Sequence, residues 1–121
     1  MATIGGTYKG MIVFPDTYVH PDGTDFVASD EIYNMKSNYA ATVSVEGWRK
    51  MEVAGAIFLP AAGYRDSDVV MKGANVDGRY WSSSYRDKQY AFFMKFSSDG
   101  NQTNYEKRCN GYSVRLVRDV R

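Results

Sequence analysis

Apolar and polar positions follow different rhythms in the two halves of the chain. Gly10-Met11-Ile12-Val13-Phe14 is a short apolar run stopped by Pro15-Asp16, and it predicts a buried strand. His20-Pro21-Asp22-Gly23 is a turn signal. Residues 26–43 show no clean period, and 28–35 read as one or two helical turns. The best helix is expected over 45–54: Ser44 suits the N-cap, Glu46 the positive first turn and Gly55 the C′ position. Val45, Trp48 and Met51 recur at i, i+3 and i+6 as its apolar stripe. Residues 56–59 read as a buried strand ended by Pro60.

The second half predicts strands. Residues 80–82 (Tyr-Trp-Ser) form a short aromatic one. Over 90–96, Phe92, Met94 and Phe96 face one way and Phe93 and Lys95 the other. Residues 111–118 alternate too, with Tyr112, Val114 and Leu116 opposed by Ser113, Arg115 and Val117. Polar stretches 64–79, 85–89 and 97–110 read as loops, and long loops in a compact domain usually carry function. The expected class is α+β, in one domain over 1–121, with short helices early and a small antiparallel sheet late.

Composition narrows the classes. The 121 residues are 44% hydrophobic and 24% charged, ordinary for one globular domain rather than a disordered or fibrous chain. No apolar run approaches the ~20 residues that span a bilayer, so direct membrane insertion is not expected. Met1-Ala2-Thr3-Ile4-Gly5-Gly6 has neither the charged nor the apolar part of a secretory leader. The net charge of +1 hides an acidic first half and a basic second half. The basic surplus is spread among acids, however, and phosphate binding wants clustered cations, so nucleic acid is not an expected partner. The strongest bias is aromatic: ten Tyr, six Phe and two Trp make 15% of the chain.

Catalytic chemistry is thin. His20 is the single histidine and sits in a turn, while Cys109 is the single cysteine, among Lys107, Arg108 and Asn110. Nothing local couples them as a nucleophile and base, and they cannot supply a zinc shell. Asp66-Ser67-Asp68 is too sparse for calcium. The glycines open no phosphate loop, so no cofactor or metal is expected. Asn101-Gln102-Thr103 matches a glycosylation triplet. What remains is contact chemistry. The runs 85–90 (Tyr-Arg-Asp-Lys-Gln-Tyr) and 104–110 (Asn-Tyr-Glu-Lys-Arg-Cys-Asn) mix Tyr, Arg, Lys and Asn as binding surfaces do.

Three motifs then stand in register: residues 55–65 (Gly-Ala-Ile-Phe-Leu-Pro-Ala-Ala-Gly-Tyr-Arg), 78–84 (Gly-Arg-Tyr-Trp-Ser-Ser-Ser) and 111–118 (Gly-Tyr-Ser-Val-Arg-Leu-Val-Arg). Their order and spacing resemble the C-type-lectin-fold domains of gut bacteria and their phages, and within these the variable proteins of diversity-generating retroelements. Residues 9–16 and 44–55 fit the segment that precedes the motifs in that family. The resemblance implies a C-type lectin-like fold with long ligand-facing loops and a variable region over about 64–112. It implies scaffold roles for Leu59, Pro60, Gly63, Trp81, Ser82, Phe96, Val114 and Arg115. It places diversified, ligand-binding positions at Tyr64, Asp66, Asp77, Arg79, Tyr85, Arg86, Asp87, Lys88, Gln89, Asn104, Tyr105, Glu106, Lys107 and Arg108. The Glu-Pro-Asn or Gln-Pro-Asp and Trp-Asn-Asp motifs of calcium-dependent lectins are missing, since Ser82-Ser83 follow Trp81. The upstream helix and leader usual in the family are not expected within these residues, so the expected unit is either a minimal version of the domain or the C-terminal part of a longer parent. The cysteines of the related formylglycine-generating enzymes are not present.

The expected function is therefore non-enzymatic: a receptor or adhesion domain presenting a diversified surface to a protein or cell-surface ligand. Its expected location is extracellular, on a bacterial surface or phage particle, with oligomerisation left open. The rival reading is a fixed structural or adhesin subunit of a fimbria-like or virion assembly.

Overall fold

The computed structural model describes residues 1–27, 39–66 and 71–116. The expected turn of helix over 28–35 lies outside them. Four strands, β1 (Ala2–Ile4), β2 (Tyr8–Val13), β3 (Ala41–Val43) and β4 (Ile57–Pro60), form a sheet in the order β3-β1-β2-β4. Its pairings are antiparallel except β1 with β3. Helix α1 (Val45–Val53) links β3 to β4. A two-stranded ribbon, β5 (Tyr64–Arg65) and β6 (Met71–Lys72), precedes an antiparallel meander of β7 (Gly78–Tyr85), β8 (Tyr90–Ser97) and β9 (Gly100–Lys107). The class is mixed α+β, built of small sheets and one short helix among the described residues.

The helix forms where its caps and first turn lead one to expect it. Ser44 Oγ accepts the Gly47 amide at 3.0 Å, and the Asp25 carboxylate accepts the Ser44 hydroxyl at 2.8 Å. That hydroxyl is the chief cause holding the Asp25 carboxyl below its ordinary value. At the other end the Gly55 amide reaches the Glu52 carbonyl and the Ala56 amide the Met51 carbonyl, a Schellman closure that needs the positive φ of Gly55. Met51 is fully buried and Trp48 half-buried against Phe58, but Val45 is 46% exposed. The stripe is thus shorter than expected, since Val45 in the first turn lies beside Gly5, which has no side chain to cover it.

Among the described residues two apolar clusters hold the fold. Ile4, Val43, Met51 and Ala56 close the helix onto the first sheet, and Tyr39, Leu59, Ala61, Tyr80 and Phe96 join that sheet to the meander. Phe96 is fully buried, and its ring lies against the backbone of Gly78, its register partner, where any Cβ would enter the ring. The Tyr80 hydroxyl donates to the Pro60 carbonyl at 2.8 Å, and the Tyr39 hydroxyl donates to the Val76 carbonyl.

Several expectations need correction. Residues 97–110, read as a loop, contain the eight-residue strand β9, paired along its length with β8 through a two-residue turn at Ser98 and Asp99. β9 is polar on both faces because it is the outer strand of the meander, so no period-2 signal marks it. Of residues 111–118, read as a strand, the described ones make isolated bridges at Gly111 and Ser113 and no continuous ladder. Tyr112 is buried, but Val114 is 64% and Leu116 89% exposed, and 117–118 lie outside the described residues. The supposed loop 64–79 holds β5, β6 and the start of β7, and the strand expected over 80–82 runs from Gly78 to Tyr85. β8 buries residues of both faces, with Phe93 and Phe96 covered while Phe92 is exposed.

Burial, with the nearby Asp77 carboxylate adding to it, raises the Tyr39 phenol to about 12; burial also raises that of Tyr80. The folded chain holds the Tyr39 proton more tightly than the unfolded chain, where the phenol titrates near 10.0. That stabilisation is complete below pH 10 and is lost as pH rises from 10 towards 12. Urea unfolding followed by tryptophan fluorescence is expected to show the midpoint falling across this window. Tyr39→Phe should flatten the fall while costing about 1 kcal/mol at neutral pH through the orphaned Val76 carbonyl. An equally steep fall in that variant would assign the alkaline loss to other groups.

Candidate functional site

The meander ends in two turns that lie side by side. In the β7–β8 turn the Arg86 and Asp87 amides reach the Tyr90 carbonyl. Asp87 Oδ1 accepts the amides of Gln89 at 2.8 Å and Tyr90 at 2.9 Å. This is the local bonding for which Asp is favoured in turns. The second turn is docked on the first by the Arg108 amide, which donates to the Gln89 carbonyl at 2.9 Å, and is closed by the Asn110 amide on the Lys107 carbonyl. Lys88, Gln89, Lys107 and Arg108 are thereby collected at one tip, all exposed. Tyr85, at the end of β7, is 72% exposed.

A bulge hollows this tip. Trp81 pairs with Phe93, but the next matched pair is Tyr85 with Ala91, so Ser82, Ser83 and Ser84 stand against Phe92 alone. The Ser84 amide donates to Ser82 Oγ at 3.1 Å and holds the bulge in shape. It opens a cleft of about 340 Å³ lined by Trp81, the three serines, Tyr85, Ala91 and Arg108. On the far side of Arg108 lies a notch of about 410 Å³ between Lys88, Gln89, Lys107 and Cys109. The family resemblance assigns Trp81 and Ser82 to the scaffold and gives no role to Ser83, Ser84 or Ala91. The three serines after Trp81 are the break in alternation that could have marked the bulge.

Because β9 is a strand, the run 104–107 cannot form one patch. Asn104 pairs with Phe93 and Glu106 with Ala91, which places both on the Trp81 face. Tyr105 and Lys107 pair with Phe92 and Tyr90 and occupy the opposite face. There the Tyr105 ring meets Tyr90 and Phe92 edge-on, and the Arg86 guanidinium lies over it at 3.9 Å. Asn104 Oδ1 and Glu106 Oε1 instead accept the amides of Tyr105 and Lys107. The hairpin register turns these two amides away from β8, so the two side chains cap the outer edge of β9.

Tyr64, Asp66, Asp77 and Arg79 form a separate group. The Arg79 guanidinium lies 3.5 Å over the Tyr64 ring and donates to the Tyr112 hydroxyl at 3.0 Å. Its side chain is only 16% exposed, with Asp77 at 3.8 Å, and its Nε has no partner among the described residues. Tyr112 in turn stacks on Trp81 at 4.4 Å and packs on Phe93. Arg79 and Tyr112 therefore bolt the 111–113 segment to β7, whose Arg79 carbonyl and Trp81 amide both bond Ser113. Asp66 makes a 3.1 Å ion pair with Lys72 in which both side chains are about half exposed, an arrangement of little energetic weight.

Both ring nitrogens of His20 are engaged, by the Tyr18 and Thr24 hydroxyls, in the N-terminal turn. Cys109 is exposed at the tip. Among the described residues no three His, Cys, Asp or Glu side chains gather as a metal site, and no helix is long and apolar enough to cross a membrane.

Compared with known proteins, residues 27–117 match the family model described as a domain of unknown function (DUF8237). No curated protein and no solved structure matches the chain.

The two groups are expected to respond differently to truncation. Arg79→Ala should destabilise the fold by about 2 kcal/mol, since it takes the guanidinium from the Tyr64 ring and leaves the Tyr112 hydroxyl with the 3.3 Å hydrogen bond from Asn110 Nδ2 alone. Lys88→Ala and Arg108→Ala should stay within about 0.5 kcal/mol of the parent. Urea midpoints at neutral pH separate these outcomes, and equal losses at all three positions would refute the division.

Proposed function

The chain belongs to the DUF8237 family, and for this member we propose a non-enzymatic binding domain whose contact surface is the tip of the β7–β8–β9 meander. One observation carries the reading: exposed aromatic and cationic side chains without structural duties collect where two hydrogen-bonded turns hold the backbone still. Tyr85 offers a large amphipathic ring that loses little entropy on contact. Arg86 on Tyr105 is already ordered, and Lys88, Lys107 and Arg108 supply adjustable polar contacts. Binding energy in such surfaces concentrates in a few anchors, each worth ~2 kcal/mol or more when truncated.

The family resemblance in the sequence supports a finer form of the same proposal. In it the domain is a C-type lectin-like variable protein of a diversity-generating retroelement, displayed outside a bacterium or on a phage particle. Its ligand is a protein or cell-surface group. Tyr85, Lys88, Gln89, Lys107 and Arg108 are then diversified positions whose side chains stand clear of the scaffold, and Arg86 and Tyr105 are diversified positions stacked on one another against β8. Asp77 and Arg79, half-buried in the junction with Tyr112, are the positions where replacement carries a folding cost.

Sequencing the locus across many cells or virions from the source tests this. The expected result is a nearby reverse transcriptase and a near-copy of the coding region that differs at adenines. Variation should fall on the tip positions and spare Gly78, Arg79, Trp81 and Phe96. An invariant gene with no such copy would overturn diversification and leave a fixed adhesin or structural surface.

A further inference from the structure

Resting on the tip as the contact surface, we infer that its ligand is an acidic protein segment carrying one apolar side chain, with the apolar group in the Trp81 cleft and the carboxylates on the cationic notch. Arg108 is the hinge of the argument, because it lines both hollows. Four cations, Arg86, Lys88, Lys107 and Arg108, share the tip with two carboxylates, Asp87 and Glu106. Both carboxylates are turned onto neighbouring backbone amides, Asp87 onto those of Gln89 and Tyr90 and Glu106 onto that of Lys107. The three cations around the notch, Lys88, Lys107 and Arg108, have no ion-pair partner among the described residues. The tip therefore presents positive charge that the fold itself does not use, and a complementary ligand brings the negative charge.

The cleft sets the other half of the specificity. Its floor is the half-buried Trp81 and the small Ala91, and its rim is serine hydroxyl and Tyr85. A single branched or aromatic side chain fills such a hollow, while the serines satisfy the peptide groups beside it. Ala91 keeps the hollow open, since its register partner Tyr85 lies across the bulge and a longer side chain at 91 would occupy the space.

The experiment is an NMR titration of the isotopically labelled chain with two synthetic peptides, acetyl-Phe-Glu-Asp-Glu-amide and its neutral isostere acetyl-Phe-Gln-Asn-Gln-amide. The acidic peptide is expected to shift the Lys88, Lys107 and Arg108 amides and the Trp81 indole, more weakly as salt is raised. Arg108→Gln should weaken it about fivefold. Ala91→Leu, which fills the cleft and leaves every charge in place, should remove the Trp81 shift. Arg49→Gln on the exposed face of α1 should change nothing. Equal binding of the neutral peptide at the tip would overturn the acidic class while keeping the tip as the contact surface. Shifts spread over surface lysines, or unaltered by Arg108→Gln, would show non-specific attraction and overturn the inference. Silence at the tip with both peptides up to millimolar concentration would overturn it as well, and locus variation at the tip would then still test the surface separately.

Discussion

The contact between the Phe96 ring and the Gly78 backbone governs the rest of the meander. Phe96 is fully buried, and it reaches the core only because the position opposite it on β7 has no side chain. The pair fixes the β7–β8 register at the proximal end, and a one-residue slip there would turn every side chain of the strand to the other face. With the register set, Tyr80 falls under Phe96 and bonds Pro60, so the meander is tied to the first sheet. Arg79 and Trp81 fall on the opposite face, where Tyr112 can reach both. Everything distal, including the bulge, the cleft and the paired turns, is counted off from that anchor.

This geometry sorts charged and aromatic residues that look alike in sequence. Arg79 and Arg86 both lie over a tyrosine ring. Arg79 does so in a half-buried junction that also takes up a hydroxyl and a carboxylate, and Arg86 does so on an exposed tip. A guanidinium desolvated with its partners belongs to the fold, because removing it strands polar groups. One that rests on an exposed ring remains available to a partner, and its ordering there lowers the entropic cost of contact.

The sequence was legible where local chemistry decides structure. Ser44 and Gly55 mark the helix by bonding its orphan amides and carbonyls and Glu46 by placing negative charge in its first turn, and these three effects are local to the helix and its flanks. Alternation failed as a guide at the edge of the sheet. β9 is held by pairing with β8, not by an apolar face, so its eight residues read as polar loop. The 111–116 segment failed in the opposite sense: Tyr112, Val114 and Leu116 alternate cleanly, yet only Tyr112 finds a cover. The aromatic and cationic runs of the candidate site were visible in composition. Their division between two faces and a separate junction follows from pairing, which composition does not carry.

That division limits how far the surface can vary. Lys88, Gln89, Lys107 and Arg108 can change identity at small cost, because the turns beneath them are closed by backbone bonds. Asp87 is different, since its carboxylate accepts two amides and a residue unable to do so would loosen the turn. Asn104 and Glu106 are different again. They occupy amides on the outer edge of β9, and an edge with exposed amides invites pairing with another chain. A tip that tolerates many side chains therefore still requires a short acceptor at 87 and edge caps at 104 and 106. The same polar atoms that make these positions look like contact residues in sequence are consumed in keeping the platform closed and single.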